Sequence, residues 1–299
     1  MIMKENMDAN GKYIKIRSSL TGPKVVKKVE ISSITICIIK LNLKYCFYRY
    51  KFLIEILNKP EYKQFWGDRM IVTRRELKYP IGEVDYYKVN EMFKSVLTPD
   101  PNNKEYGYTI RSLYFDGINN DDYYAKIGGE EIRKKIRLRI YDTKTEKVKL
   151  EIKRKMNINQ IKETATISRE DAIKLINKDY SVLLKYDNNT CQSAYNIMTM
   201  GQYQPVVLVD YNRRAYIHNE NNIRVTLDSD IRSNEFEFDM FSDEIMMTPV
   251  FDYYNALLEV KFDGELFCWI SQALTDLDTV NRSLSKYCSG RRFFENYIL

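Results

Sequence analysis

Residues 133–155 read RKKIRLRIYDTKTEKVKLEIKRK, and their pattern decides the fold. Strand side chains alternate with period two. Two strands joined by a turn at Asp142, Thr143 and Lys144 therefore put Arg133, Lys135, Arg137 and Arg139 on one face, with Lys147, Lys149, Glu151, Lys153 and Lys155. The other face carries Ile136, Leu138, Ile140, Val148, Leu150 and Ile152. One hairpin thus has an apolar side and a cationic side with a single carboxylate in it. Like charges facing each other across strands are destabilising, so the row is either washed by solvent or holds a polyanion.

The same alternation recurs on both sides of this hairpin. Residues 70–79 (MIVTRRELKY) read as a strand with Arg74, Glu76 and Lys78 on one face, ended by Pro80, Ile81 and Gly82. Val84, Met92, Phe93, Val96 and Leu97 then recur at helical spacing, closed by Pro99 and Pro101. Residues 106–116 (YGYTIRSLYFD) are a strand with Arg111 in line with Thr109 and Leu113, and a short helix over 121–127 stops at Gly128 and Gly129. After the hairpin, residues 160–167 align Lys162, Thr164 and Thr166, and Ser168 with Asp171 caps a helix running to about Lys178. Residues 187–204 read as loop. Residues 205–217 (PVVLVDYNRRAYI) put Tyr211 and Arg213 on one face and Arg214 on the other; 223–231 align Arg224, Thr226 and Asp228; 256–263 align Glu259 and Lys261. An amphipathic helix over 265–274 and a basic, helical tail over 281–294 complete the chain. The sum is an α+β fold with eight antiparallel strands and flanking helices.

The chain has 299 residues, of which 44% are hydrophobic, so it can bury a sizeable core. The net charge of +6, from 47 basic and 41 acidic residues, is modest, so what matters is where the charges stand. Five cysteines without a CxxC pair suit a reducing compartment and support neither a zinc site nor a disulfide framework. The single histidine, His218, excludes histidine-based triads in practice. Residues 31–39 form the longest apolar run, well short of the ~20 residues a membrane helix needs. No secretory signal is evident, and the expectation is a cytoplasmic protein without a membrane span. Residues 1–64 are taken as an N-terminal extension of unknown role and 65–299 as the catalytic domain, with the strand register beginning at Phe65 and Trp66.

Eight strands suffice to close a barrel. With the apolar faces packed outward on helices, the polar faces would line a tunnel, and arginine forks and lysine ammonium groups there would select a chain of phosphates. Arg111, Arg137, Arg139, Lys153, Lys162, Arg213 and Arg224 are the cations of those rows. Glu76, Glu151 and Glu259 would stand among them as oxygen ligands for Mg²⁺ or Mn²⁺. Phosphoryl transfer asks little of a protein beyond positioning and charge neutralisation, in keeping with the lack of a His or Cys nucleophile. There is no P-loop and no GxGxxG after a strand.

The order RELKYPI, YTIRSLYFD, KIRLRIY, KLEIKRK, VDYNRRAYI, IRVTLDSDI, LLEVKFDGE and SLSKYCSG resembles the VTC domain, the polyphosphate polymerase branch of the CYTH or triphosphate-tunnel superfamily. The resemblance spans about residues 65–295. It implies a closed antiparallel β-tunnel that adds the γ-phosphate of ATP to a growing inorganic polyphosphate chain with Mn²⁺ or Mg²⁺. It further implies that Lys78, Arg137, Arg139, Lys153 and Lys162 are phosphate ligands along the bore, the first four catalytic with Glu259. Tyr211, Arg213 and Arg224 would complete a nucleotide-phosphate cradle, Glu259 would hold metal, and Ser285 and Lys286 would gate or contact phosphate at one mouth. Arg111 and Lys261 are counted with the phosphate-binding set from their place in the polar rows.

Two departures from the family pattern bear on activity. Hydrolytic members of the superfamily open with ExExK, whereas Arg74 takes the first acidic position here, which favours transfer over hydrolysis. A lysine is expected at Ser283, and Arg282 is the nearest cation. A metal-dependent inorganic or nucleoside triphosphatase and a non-catalytic polyphosphate or inositol-phosphate binding module are the alternatives. Nucleic-acid binding is not expected, because the aromatic residues fall mostly on apolar faces.

Overall fold

The computed structural model describes residues 5–7, 13–15, 70–72, 75–156 and 159–297. Contacts divide the chain into two compact units, residues 1–57 and 58–299. In the first, the described residues form one antiparallel pair, β1 (Glu5–Met7) and β2 (Tyr13–Lys15). The apolar run 31–39, the start at Phe65 and Trp66, and Arg74 lie outside the described residues.

The second unit is built on one antiparallel sheet. Its long strands are β4 (Arg75–Ile81), β6 (Tyr108–Asp116), β7 (Ile132–Ile140), β8 (Lys147–Met156), β9 (Asn159–Ser168), β10 (Gln204–His218), β11 (Ile223–Asn234) and β13 (Ala256–Phe262). Three short ones join them: β3 (Met70–Val72), β5 (Thr98–Pro99) and β12 (Thr248–Pro249). The hydrogen-bonded order is β3-β9-β8-β7-β6-β10-β11-β13-β4, with β5 on β10 and β12 on β11. The two end strands, β3 and β4, are separated in sequence only by residues 73 and 74 but are not joined to each other by ladder hydrogen bonds. The sheet is therefore antiparallel with an open hydrogen-bond order, and a closed barrel is not formed by the ladder.

The apolar faces are covered by helices. Leu138, Leu150, Leu113 and Phe115 pack under α3 (Arg169–Ile176), a 3₁₀ turn (Tyr180–Lys185) and α4 (Asn189–Gly201), through Leu175, Leu183, Ala194 and Met198. Val225, Leu258 and Val260 pack under α1 (Glu83–Val96) and α5 (Cys268–Thr275), through Phe93 and Ile270. Two expected elements need correction. Residues 187–204, read as loop, contain α4, capped by the Asn188 side chain accepting from Thr190 N and Cys191 N. In α1, Val84 and Val96 are exposed; Val89, Phe93 and Leu97 make the buried stripe.

A third cluster lies on the opposite side of the sheet. Ile110 and Tyr114 of β6, with Val207, Val209 and Tyr211 of β10, pack against Tyr123 of α2 (Asp121–Ile127), Tyr287 and Cys288 of α6 (Lys286–Ser289) and Phe294 of α7 (Arg292–Tyr297). The tail thus sits on the sheet face that carries the charged rows. Its first five residues, 281–285, are not helical, contrary to the continuous helix expected there. Asp116 fixes α2 and the tail together: its carboxylate accepts from Asp122 N at 3.0 Å, Tyr123 N at 2.9 Å and the Tyr287 hydroxyl.

Candidate functional site

Register decides which charges share a face. Arg137 faces Glu151 and Arg139 faces Lys149 across β7 and β8, while Lys153 faces Lys162 across β8 and β9. Ser112 and Tyr114 of β6 stand beside Arg139 and Arg137, and on β10 the same face continues through Val209, Tyr211 and Arg213. On β11 it carries Arg224, Thr226 and Asp228, on β13 Glu259 and Lys261, and on β4 Glu76 and Lys78. The hairpin that opened the sequence therefore supplies one wall, and β10, β11, β13 and β4 supply the others.

Arg111 does not belong to this face. It pairs in register with Ile140 and so points with Leu113 and Phe115. There it is consumed by Asp210, which accepts from Nε at 2.9 Å and Nη2 at 2.7 Å, and by the carbonyls of Met240 and Ser242. Period-two parity, already visible in its alignment with Leu113, excludes it from the phosphate-binding set.

The remaining cations form shared ion pairs. Arg137 donates to Glu151 Oε2 from Nε at 2.7 Å and Nη2 at 2.5 Å, and to the Tyr114 hydroxyl at 2.9 Å, while Lys162 reaches Glu151 Oε1 at 2.7 Å. Arg213 grips Asp228 with Nε at 2.6 Å and Nη2 at 2.7 Å, and Lys286 reaches the same carboxylate at 2.6 Å. Glu259 is shared by Lys261 at 3.0 Å, Lys286 at 3.3 Å and Lys78 at 3.4 Å, and Glu76 lies 3.5 Å from both Lys78 and Lys261. Among the described residues Arg139 has hydroxyls alone as partners, Ser112 Oγ at 3.2 Å and the Tyr211 hydroxyl at 3.0 Å. Arg224 sits at the far end, 2.7 Å from Asp100.

The electrostatics follow from crowding. Burial works against ionisation of Glu151 and Glu259, but the cations around them win: Arg137, Arg139 and Lys162 hold Glu151 well below the carboxylate range, and Lys261, Lys286 and Lys78 do the same for Glu259. Lys153 behaves oppositely. Its side chain is solvent-accessible, yet desolvation, followed by Arg137 and Lys261, pushes its pKa well below that of an ordinary lysine.

The tail shows that the sheet is curled. Its adjacent residues Leu284 and Ser285 accept from Lys78 Nζ of β4 at 3.2 Å and from Lys135 Nζ of β7 at 2.6 Å, although β4 and β7 are five hydrogen-bonded steps apart. In a flat sheet those steps would span about 24 Å. The charged rows of β4 and β7 therefore turn toward one another on a concave face.

The expected metal ligands are not gathered as one set. Among the described residues no group of three or more His, Cys, Asp or Glu could hold a metal ion. Glu151 is held by Arg137 and Lys162 on β8, apart from the other two. Glu76 and Glu259 stand together as a pair of oxygen donors: both lie within 3.5 Å of Lys78 Nζ, and the pKa of each is lowered, against burial, by Lys78 and Lys261.

Sequence reading missed Asp228, the fully buried partner of Arg213 and Lys286, although its alignment with Arg224 and Thr226 marked the face. It also missed Lys135, whose Nζ donates to Ser285 Oγ at 2.6 Å. Ser285 and Lys286 do reach this face. The tail crosses from β4, where Lys78 N donates to Asn281 Oδ1 and Arg282 N donates to Lys78 O, to β7 at Lys135.

The profile of the VTC domain matches residues 73–295. The chain belongs to the VTC domain family. Among curated protein sequences none matches. In solved structures this VTC domain is similar to an adenylyl cyclase-type protein of Hippeastrum described with a dominant triphosphatase activity, at 13% identity and TM-score 0.46, covering 74% of this chain and 94% of that one. It is also similar to an adenylate cyclase-type protein of Bacillus halodurans, at 10% identity and TM-score 0.41 over 70% and 88% of the two chains. A third is the PH1819 protein of Pyrococcus horikoshii, at 12% identity and TM-score 0.39 over 72% and 96%. No helix among the described residues of the VTC domain is long and apolar enough to cross a membrane.

Proposed function

We propose that this VTC domain is an ATP-dependent polyphosphate polymerase whose curled sheet encloses a tunnel for the phosphate chain. The observation that carries this is the sharing of carboxylates on the concave face: Glu76, Glu151, Asp228 and Glu259 each serve two or more cations, while Arg139 and Lys153 have none among the described residues. Such a face is short of negative charge, and a chain of phosphates supplies it in the bidentate geometry that arginine matches. The enclosure is supported by the curl and by the two-residue gap between β3 and β4.

In the reaction, a terminal phosphate oxygen of the chain bonds to the γ-phosphorus as the β–γ bridging P–O bond breaks, and ADP leaves with that electron pair. No proton has to move. The work left to the protein is placing two polyanions in line and holding the charge that builds on the transferring group. Arg137, Arg139, Lys153 and Lys162 are assigned to the chain, and Arg213, Arg224, Tyr211 and Lys286 to the nucleotide phosphates. Lys78 and Lys261 hold the carboxylate pair Glu76 and Glu259, which would hold Mn²⁺ or Mg²⁺. Bound there, the ion would neutralise phosphate oxygens during transfer. Cytoplasmic residence, in keeping with the free thiols Cys191, Cys268 and Cys288, is part of the same reading.

Incubation with ATP and Mn²⁺ tests it, with acid-labile polymer as the expected product. Orthophosphate alone would make the protein a triphosphatase, and tight polyphosphate binding without turnover would make it a binding module. Arg137→Ala and Glu259→Gln are each expected to lower polymer synthesis by about a hundredfold or more, measured below the melting temperature of each variant.

A further inference from the structure

The start of β7 and the end of β8 continue the cationic face beyond the shared ion pairs. In register, Arg133 faces Lys155 and Lys135 faces Lys153, two consecutive like-charge pairs. Directly opposed like charges cost stability in a sheet. Lys126, in the last turn of α2, adds a further cation beside them: its ammonium is hydrogen-bonded to Ser283, two residues before the Ser285 hydroxyl that accepts from Lys135. Among the described residues, none of Lys126, Arg133, Lys135 and Lys155 forms an ion pair with a carboxylate. Their contacts are neutral. Lys126 donates to Ser283 Oγ at 2.9 Å and Ser283 O at 3.1 Å, Lys135 donates to Ser285 Oγ, and Arg133 donates to Glu130 O at 2.5 Å. Burial pushes Lys135 down to about 8, and the ring of Tyr287 lies 5.4 Å from its ammonium. The transfer site shares four carboxylates among its cations, whereas at this ribbon end Lys126 and Lys135 are held by tail hydroxyls and a tail carbonyl and Arg133 by the carbonyl of Glu130.

We infer that the ribbon end is a second polyanion site, separate from the transfer site, in which Lys126, Arg133, Lys135 and Lys155 grip the part of a linear polyphosphate that is not reacting. Ser283 and Ser285 hold two of these ammonium groups in place until phosphate oxygens replace the hydroxyls. The grip rests on the polymerase reading only for the identity of its ligand. Its consequence is processivity: a chain held here stays bound while its other end is extended.

Binding measured without ATP separates this inference from the reaction. Long-chain sodium polyphosphate and tripolyphosphate are titrated into the full chain at several salt concentrations, for the parent and for Lys126→Gln/Lys135→Gln. The double variant is expected to bind the long chain about tenfold more weakly, with the slope of log affinity against log salt reduced by about two, as each phosphate-neutralising cation contributes about one. Tripolyphosphate affinity is expected to stay at the parent value. Unchanged long-chain affinity and slope would overturn the inference, and so would an equal loss for both ligands, which would assign these lysines to the transfer site. Lys126→Gln alone, on a half-buried helix position, covers the case of a misfolded double variant and is expected to lower the slope by about one. A parent protein that binds long chains in this way but makes no polymer would sink the polymerase reading and leave the grip standing.

Discussion

Glu151 shows how single residues are poised for a ligand. It is 1% exposed and lies between Arg137 and Lys162, so the guanidinium is tolerated in the interior only because the carboxylate is there. Breaking a buried pair from one side costs about 3–5 kcal/mol, because the partner charge is left uncompensated. Glu151→Gln is therefore expected to lower the melting temperature sharply, and added polyphosphate to restore more of it than in the parent, since phosphate replaces the missing anion. Calorimetric melts with and without polyphosphate check both halves. Lys135 sets a pH dependence at the alkaline end of the range. Its pKa of about 8 in the fold lies below the 10.5 of an ordinary lysine, through burial and then Lys78 and Lys126, with Cys288 and Tyr114 acting the other way. The charged form is thus penalised in the fold: the cost is full below pH 8 and fades as pH rises to 10.5. Urea melts are expected to show stability gained over that window, by up to about 3 kcal/mol before discounting for solvent, and a smaller gain in Lys135→Gln, in which Lys153 still titrates low.

Among the elements, strands declared themselves because their alternation is a local property. The sequence reading placed 160–167 inside β9, 205–217 inside β10 and 256–263 over β13, and Ser168 caps α3 by accepting from Asp171 N at 3.1 Å. Helix α4 was illegible because Asn189 and Ser193 favour turns, Thr190 is β-branched, and its buried stripe of Cys191, Ala194 and Met198 is thin. The cationic face was legible from parity; the tail crossing it was not, because no spacing in residues 281–288 announces contact with β4 and β7. Gly107 was equally silent. It holds φ +89°, and a Cβ there would stand 2.5 Å from both the Arg213 carbonyl and Asn212 Oδ1. Gly107→Ala is expected to cost more than about 2 kcal/mol from left-handed strain plus the clash, and to lower ATP affinity by displacing Arg213. Thermal melts and nucleotide titration measure the two effects.

For the molecule as a whole, the net charge of +6 says little, whereas the concentration of cations on one concave face says that the free protein stores electrostatic repulsion. Polyphosphate at about a hundred times its Kd is expected to stabilise the fold by about 2.7 kcal/mol, read as a rise in melting temperature that shrinks as salt is raised. An insensitive melting temperature would mean that the face is merely solvated. The register that joins Lys78 to Glu259 has one more consequence. These neighbours lie about 180 residues apart along the chain, and a ribosome adding about 5–20 residues per second needs roughly 10–35 s to deliver the second after the first. For that interval, nascent β4 has an unpaired edge of the kind that invites aggregation, so how fast this gene is translated bears directly on how much of its product folds.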